Sequence, residues 1–410
     1  MSGFSQRSNR QVLQAEFGDP EQLAYFRDRY AVAAYKVDLY HLFIEQGLRL
    51  TRPGGIDAMI TPANFLTNNY LVGLRRLMLD DAMIDSVAVV DRGVFPGRSV
   101  DNLIYVLRAG VGATADFALT HMEPSPLGWT TTEAVGLSGE LIRADKNYLF
   151  TGGDAAHGDL WAHVAQRSVL LKEIADVNFG KQLRDRKQFT KDVIEVKKLT
   201  DVKQPYRPCY TGSDVGRYRV GWNGLALLDS EEARRGGCWD ADKQNATGKL
   251  LTKQIGRYPD FGIDNDGFQC LNTMFMVNSR DEQYSRWFLL GYLNSSLIRA
   301  LWLDRFYDRR RTFPKIKGTY LKELFVPRLD DEQSRATARE IGDLAARITE
   351  LALRVSATTP APDARRVERA VAVAEARIDE LVLTFFELDA DKQATIRRIL
   401  APAERLLIEE

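Results

Sequence analysis

The first 115 residues alternate helix-spaced and strand-like apolar patterns, and this alternation limits the fold more than any other feature. Apolar residues recur at helical spacing over 23–50, and Pro53-Gly54-Gly55 then stops the helix. A buried strand is predicted at 56–60, and the pattern continues with a helix at 64–80 and strands at 84–90 and 102–107. This order predicts the latter part of an α/β domain that ends in a strand hairpin.

The rest of the chain divides into three regions of different composition. Residues 116–159 are rich in Thr, Pro and Gly, which predicts a connector with short strands. Short β-prone runs alternate with loops over 160–330, with helices expected only near 161–174 and 285–306. Over 331–410 apolar residues keep a three-four alternation on both sides of a proline-containing loop, which predicts a helical hairpin.

Charge and composition narrow the possible partners. Lysine plus arginine equals aspartate plus glutamate at 56 each, so any nucleic-acid site must come from local clusters of cations. The polar N-terminal residues and the interrupted apolar windows predict a cytoplasmic protein without a membrane span. Three separated cysteines and four scattered histidines predict no structural metal site.

A series of short motifs follows one order along the chain. Near the start these are YKVDLYHLFIE at 35–45, LRLTRPGG at 48–55 and ITPANF at 60–65. Later motifs are VFPGRSV at 94–100, YTGSDV at 210–215, LNSS at 293–296, FPKI at 313–316 and LFVP at 324–327. Together they resemble the TaqI-type adenine-N6 DNA methyltransferases of type II and IIG restriction-modification systems, from the late methyltransferase motifs to the specificity domain.

The resemblance implies a fold and a division into domains. We expect an α/β partial Rossmann-like methyltransferase sheet in residues 1–115 and a connector in 116–159. A β-rich α+β target-recognition domain, similar to the TaqI-like DNA specificity domain, should occupy 160–330. The C-terminal helical hairpin should occupy 331–410.

Two elements of the family's catalytic half are missing from this sequence. The family carries an Asn-Pro-Pro-Tyr/Phe tetrapeptide and an early glycine-rich loop for S-adenosylmethionine, and both precede the helix that contains Asp38 here. The chain contains no Asn-Pro-Pro, and Gly110-Val111-Gly112 follows a late strand, which favours a simple loop. We therefore expect a separate chain to bind the cofactor and catalyse methyl transfer, with this chain inactive alone. An inactive remnant is the alternative.

The family loop that borders the target base matches residues 62–65. The resemblance implies that Pro62, Asn64 and Phe65 pack around an extruded adenine, although a helix cap at Asn64 with Phe65 in the core explains them equally well. Leu107 aligns with a base-contacting aromatic residue of some family members. As a leucine it is better explained by a place in the core.

Several cation clusters are candidate DNA contacts. Between 305 and 317 arginines and lysines alternate with aromatic residues, which is typical of a surface that follows phosphates, although a solvated face paired with nearby aspartates is the alternative. A second patch begins at Gly180 and contains Lys181, Arg184, Arg186, Lys187 and Lys191. A third patch, equally well explained as structural, contains Lys249, Lys253 and Arg257 near Tyr258. The predicted DNA-binding residues are Lys181, Arg184, Arg186, Lys187, Thr211, Lys253, Arg305, Arg309, Arg310, Arg311, Lys315 and Lys317.

Three functions remain open from the sequence. The resemblance favours the double-stranded-DNA-recognition half of a split adenine-specific methyltransferase in restriction-modification or phage defence, with an associated restriction nuclease left open. A non-catalytic DNA-binding specificity subunit that directs a nuclease or sensing complex is the alternative. Asp185 followed by Glu195-Val196-Lys197 superficially resembles a metal-dependent nuclease motif, but such tripeptides are common and suit an exposed strand.

Overall fold

The computed structural model describes residues 19–34, 37–90, 102–112, 114–126, 128–150, 155–307, 314–354 and 361–408. Within these ranges the chain forms two compact units, which meet in sequence between Gly158 and Asp159. Each unit is described by itself below.

The first unit is a mixed five-stranded sheet with helices before, between and after its strands. The strands are β1 (Ile56–Pro62), β2 (Ala82–Val90), β3 (Asn102–Ala109), β4 (Asp116–Ser125) and β5 (Gly128–Ser138). The helices are α1 (Pro20–Arg29), α2 (Leu39–Leu50), α3 (Val72–Asp80) and α4 (Gly139–Ala144).

Strand pairing in this sheet gives the order β1-β3-β2-β4-β5. β3 is antiparallel to both β1 and β2, so β1 and β2 run parallel to each other on either side of it. β2 pairs with β4 in parallel, and β4 pairs with β5 as an antiparallel hairpin. The predicted strands at 84–90 and 102–107 are confirmed, and they pair with each other as expected.

The core of the first unit lies between this sheet and α2 and α3. Apolar residues at helical spacing on the two helices, such as Ile44 and Met78, bury completely against alternate residues of the strands, such as Tyr105 and Leu119. Burying side chains of this size stabilises the fold by about 1.5–3 kcal/mol each. This packing fixes the loop after β1 relative to both helices.

The predicted single helix over 23–50 is wrong, because the structure has two helices with a turn at Ala31 and Val32 between them. The carboxylate of Glu45 accepts hydrogen bonds from the backbone nitrogens of Ala31 (3.1 Å) and Val32 (3.0 Å). These bonds hold the chain in a turn where a helix would otherwise continue. Helical spacing of apolar residues persists across the break, which is why the sequence pattern does not reveal it.

Two further expectations for the first unit differ from the structure. The region 116–159, expected as a connector, forms the β4–β5 hairpin and extends the sheet, so the unit continues to Gly158. The strand expected to be buried at 56–60 is present, but it lies at the sheet edge and Ile56, Ala58 and Ile60 are exposed.

The second unit is rich in short strands. These are β6 (Ser168–Leu170), β7 (Ala175–Phe179), β8 (Gln182–Leu183), β9 (Val193–Glu195), β10 (Tyr206–Tyr210), β11 (Val215–Gly216), β12 (Arg219–Val220), β13 (Leu225–Leu228), β14 (Arg234–Gly236), β15 (Lys249–Lys253), β16 (Phe261–Asp264), β17 (Gln269–Cys270), β18 (Met274–Ser279) and β19 (Phe325–Pro327). They form two four-stranded sheets, β17-β10-β13-β9 and β16-β15-β18-β7, and three two-stranded ribbons, β11-β12, β14-β8 and β19-β6.

Short helices lie around these sheets, and longer helices follow them. The helices of this region are α5 (Ala155–Gln166), α6 (Leu171–Ile174), α7 (Ala241–Asn245), α8 (Arg286–Leu293), α9 (Ser296–Arg305) and α10 (Gly318–Leu321). The β-rich character predicted for 160–330 is confirmed.

The C-terminal region contains a third helix that the hairpin prediction lacks. α11 (Glu332–Arg354) and α12 (Ala361–Phe385) contact each other, and α13 (Ala390–Ile408) follows and packs on α9. α11 also packs closely on α8, where a Cβ on Gly291 would lie 2.7 Å from Ile341. Across the described ranges, no helix combines the length and the apolar character that crossing a bilayer requires.

Candidate nucleic-acid interface

The turn after β1 holds three of the four residues predicted to border a target base. Pro62 ends the strand, and residues Ala63–Leu66 form a single 3-10 turn. The Phe65 side chain is completely buried in the core, whereas Asn64 is exposed and Pro62 is half-buried. Only Asn64 and Pro62 therefore present surface to a ligand, and Phe65 anchors the turn.

The Asn64 amide is oriented by a buried tyrosine of α2. The Tyr40 hydroxyl donates a hydrogen bond to Oδ1 of Asn64. Burial raises the pKa of Tyr40 well above its usual range, so the hydroxyl keeps its proton at neutral pH. The protein thus fixes the Oδ1 side of the amide, and among the described residues Nδ2 has no hydrogen-bond partner, so it can donate to an outside group.

A buried arginine binds the backbone of this turn. The Arg75 guanidinium of α3 has no exposed surface and donates to the carbonyls of Phe65 and Asn68 (2.8 Å), at the turn. It also donates to the carbonyls of Asn147 (2.6 Å) and Tyr148 (2.7 Å), after α4. Because one rigid donor group satisfies two segments, the turn is held in a single conformation.

Leu107 lies at the opposite end of the strand pair from this turn. In the register of β1 and β3, Leu107 is across from Asp57, whereas Pro62 is across from Asn102. Five residues of strand separate the two positions, or about 17 Å at strand rise. Leu107 is fully buried in the core, so the structure does not bring it to the turn. Asn102, which the sequence did not single out, is the residue beside Pro62.

The patch that begins at Gly180 contains two cations with internal partners and others that are exposed. Lys181 is buried, forms an ion pair with Asp229 and lies 4.5 Å from the ring of Trp239. Arg184 bonds Asp192 (2.9 Å) and, at its other end, Glu232 (2.8 Å). Both cations serve the internal structure of the unit.

Exposed cations lie next to these two. Arg186 and Lys187, in the loop after β8, are exposed as a DNA contact would require. Arg234 and Arg235 of β14 are also exposed, and β14 pairs with β8. The sequence interpretation missed these two arginines, although a pair of arginines directly before Gly236-Gly237 is a usable signal for a basic turn.

Three of the remaining predicted contacts, Thr211, Lys253 and Lys315, lie on neighbouring segments of the second unit. A β-bridge joins Ile255 to Lys315, and a Cβ on Gly212 would lie 3.4 Å from the Cβ of Lys253. Lys315 is exposed, and Arg305, Lys317 and Lys253 are half-buried, with the Lys317 ammonium 4.8 Å from the ring of Tyr320. Thr211 bonds Ser213 (2.7 Å) within its own turn. Arg309, Arg310 and Arg311 lie outside the described residues, as do the motif at 94–100 and Phe313 of the FPKI motif.

The third patch is largely structural. Lys249 is fully buried in an ion pair with Asp264, which also accepts a hydrogen bond from Tyr210 (3.1 Å). Desolvation by burial raises the pKa of Tyr210, so it stays a neutral donor to this pair. Arg257 lies 5.7 Å from the ring of Tyr307. This network fixes β15 against β16.

The geometry gives little support to a nuclease site at Glu195-Val196-Lys197 or to a cofactor loop at Gly110-Val111-Gly112. Across the described ranges, no group of acidic, histidine or cysteine residues is arranged to hold a metal ion. The Gly110-Val111-Gly112 segment is a turn between β3 and β4, where Gly110 has a φ of 64° and lies against Pro53. These glycines serve a tight turn between strands and do not open a helix, so they do not fit a cofactor phosphate or methyl-donor loop.

Two family models match separate parts of the chain. The TaqI-like C-terminal specificity domain matches residues 207–326, and the Eco57I restriction-modification methylase matches residues 9–95. The matched regions agree with the order of motifs in the sequence. No curated protein matches the chain in a sequence comparison.

One solved restriction-modification enzyme shares the fold, and a second solved restriction enzyme matches with a lower score. The type IIL restriction-modification enzyme MmeI, solved in complex with DNA, is 12% identical with a TM-score of 0.58, and the match covers 95% of this chain and 55% of that one. The type IIG restriction endonuclease BpuSI is 12% identical with a TM-score of 0.34, over 93% of this chain and 53% of that one. This chain thus spans about half the length of these two enzymes.

Proposed function

We infer that this chain is the DNA-recognition half of an adenine-N6 DNA methyltransferase. It combines a match to the TaqI-like C-terminal specificity domain with a match to part of the Eco57I restriction-modification methylase. The observation that carries this proposal is the joint presence of both segments, in the family's order, in one chain. The substrate we propose is double-stranded DNA with a defined recognition sequence, in restriction-modification or phage defence.

The topology of the first unit supports the proposal. The resemblance assigns β1 to the family's fifth strand, and β2 and β3 to its final hairpin. A final strand that reverses between two parallel neighbours suits that assignment, because β3 is antiparallel to both β1 and β2. The segment would therefore be the second half of a Rossmann-like methyltransferase sheet.

A separate chain is our proposal for the source of the other half. Among the described residues β1 pairs only with β3, so its outer edge is free to accept another strand. Ile60 of β1 is exposed across from Ile104 of β3, and Ile56 of β1 and Phe43 of α2 are exposed as well. Apolar surface at an open sheet edge suits a partner that continues the sheet.

Division of labour follows from the residues each half contains. The proposed partner supplies the Asn-Pro-Pro-Tyr/Phe tetrapeptide and binds S-adenosylmethionine, the methyl donor that a methylase of this family implies. In this chain the exposed Asn64 and the half-buried Pro62 border the extruded adenine, because Tyr40 and Arg75 hold their turn rigid. Exposed cations of the second unit, such as Arg186 and Lys187, contact the phosphates.

Methyl transfer tests this proposal directly. The chain, a candidate catalytic half, and both together are incubated with tritiated S-adenosylmethionine and mixed-sequence duplex DNA. We expect label in DNA only when both chains are present. A matched duplex whose adenines already carry an N6-methyl group should accept no label, because its acceptor nitrogens are occupied.

Two results would contradict parts of the proposal. Transfer by this chain alone would show that no partner is needed. If the two chains together bind both DNA and cofactor but transfer no methyl group to any sequence, this chain is a non-catalytic specificity subunit and not part of a methyltransferase.

A further inference from the structure

The ribbon formed by β8 and β14 carries an irregularity at an arginine. Arg234 is across from Leu183, and Gly236 is across from Gln182, so Arg235 is an extra residue without a partner in the register. Such a bulge bends its strand and redirects the side chain of the extra residue. Bulges of this kind are common where a strand presents a side chain to a ligand.

Contacts around the end of β14 hold the ribbon in place. The Trp239 indole donates to the carbonyl of Gly236 (2.8 Å), and the buried ammonium of Lys181 lies against the Trp239 ring. Gly237 has a φ of 76°, and a Cβ there would lie 2.1 Å from the carbonyl oxygen of Gly180. The backbone that bears Arg235 is therefore fixed by side-chain contacts and by a glycine that no other residue can replace without strain.

The ribbon also carries an exposed cation that has no partner among the described residues. Arg234 pairs with Glu231 at 3.1 Å. Arg235 is exposed, and within the described part of the chain it has neither a hydrogen bond nor an ion pair. Arg186 and Lys187 follow β8 in the same part of the unit and are exposed too. A rigid ribbon with an unengaged guanidinium and flanking cations is complementary to an anionic groove.

We propose that the β8–β14 ribbon enters the major groove of the DNA and that Arg235 reads a guanine. The inference rests on the proposed function, since it names a base-reading residue of that DNA site. A two-stranded ribbon fits the major groove, and arginine can donate two parallel hydrogen bonds to O6 and N7 of guanine. Arg186 and Lys187 contact the phosphates on either side.

Selection of binding sites from a random duplex library tests the inference on the full chain. Wild type, Arg235→Ala, Arg235→Lys and a control, Arg366→Ala, which removes the same charge from an exposed position of α12, are compared. We expect Arg235→Ala to lose the preference for guanine at one position and to bind the selected sequence about ten- to a hundredfold more weakly. Arg235→Lys should lose that preference too, because an ammonium lacks the paired donors. Arg366→Ala should select the wild-type sequence.

The outcomes distinguish a failure of this inference from a failure of the proposed DNA-recognition function. If wild type enriches no sequence, the proposed DNA recognition fails. If wild type enriches a sequence and Arg235→Ala enriches the same one with equal stringency at every position, only the reading role of Arg235 is overturned. Arg235→Ala could instead bind all sequences equally more weakly, with a salt dependence that corresponds to about one fewer phosphate contact. That result would also overturn the reading role and would show that Arg235 contacts the DNA backbone.

Discussion

At the scale of single residues, His41 is a polar group in an unusual position. The residue is 3% exposed in the core beside Tyr40, and Nδ1 accepts a hydrogen bond from the Asp38 nitrogen (3.3 Å). Within the part of the chain that the structure describes, Nε2 has no hydrogen-bond partner. Desolvation by burial lowers the pKa of His41 from 6.5 to about 4. The folded chain thus holds a neutral imidazole at a pH where an unfolded chain would be protonated.

This difference predicts how stability changes with pH. Below about pH 6.5 His41 becomes protonated in the unfolded state, whereas in the folded state it stays neutral until about pH 4. His41 should therefore cost about 3 kcal/mol of the free energy of unfolding as pH falls through this window. Urea unfolding of wild type and His41→Gln from pH 7.5 to 4.5 should show a smaller loss in the variant. The half-exposed His157→Gln is the control, and equal pH slopes in wild type and His41→Gln would disprove the assignment.

Which cations face solvent is the residue-scale information that the sequence lacks. Lys181 and Arg186 belong to one basic run, yet Lys181 is buried against Trp239 and Arg186 is exposed. Their difference comes from Asp229 and Trp239, about 50 residues away in sequence. A run of charges predicts a basic region, whereas the tertiary partners decide which members remain available.

At the scale of elements, the β4–β5 hairpin depends on a glycine at its base. Gly139 follows β5, and a Cβ at this position would lie 2.1 Å from the carbonyl oxygen of Ala115 and 2.4 Å from that of Thr114. Both atoms belong to the backbone that leads into β4, so neither can rotate away. The hairpin and α4 can meet only where the side chain is a hydrogen atom.

A pair of glycine variants tests this close approach. We expect Gly139→Ala to lower the free energy of unfolding of the first unit by about 1–3 kcal/mol, as overpacking does elsewhere. Gly136→Ala, three residues earlier in β5, has no atom within 4 Å of the added Cβ and should change stability by less than about 0.5 kcal/mol. Thermal unfolding of both variants gives the comparison. Equal stabilities would mean that the hairpin base is looser than described.

The elements themselves were predictable where the local pattern decides them. The strands that became β2 and β3 and the stop at Pro53-Gly54-Gly55 follow from period and turn chemistry. The break between α1 and α2 was not predictable, because it depends on Glu45 bonding the backbone at Ala31 and Val32. The β4–β5 hairpin was missed because its Thr, Pro and Gly content is also typical of a connector.

At the scale of the whole molecule, the surface that needs explanation is the edge of the first sheet. This chain spans about half the length of the restriction enzymes it matches, and β1 pairs on one side only among the described residues. Motif order predicted a sheet that another half completes. The exposed side chains of β1 could be identified only once the register with β3 was known.

The last prediction concerns this edge. Ile56 is 58% exposed on β1, so Ile56→Lys should leave the stability of the chain alone unchanged. If a strand of the partner docks there, the substitution exchanges an apolar contact for a desolvated ammonium, and methyl transfer by the mixed chains should fall at least about tenfold. Val373→Lys, at a 72% exposed position of α12, carries the same change in chemistry and should support wild-type transfer. Full activity with Ile56→Lys would mean that the partner half docks elsewhere.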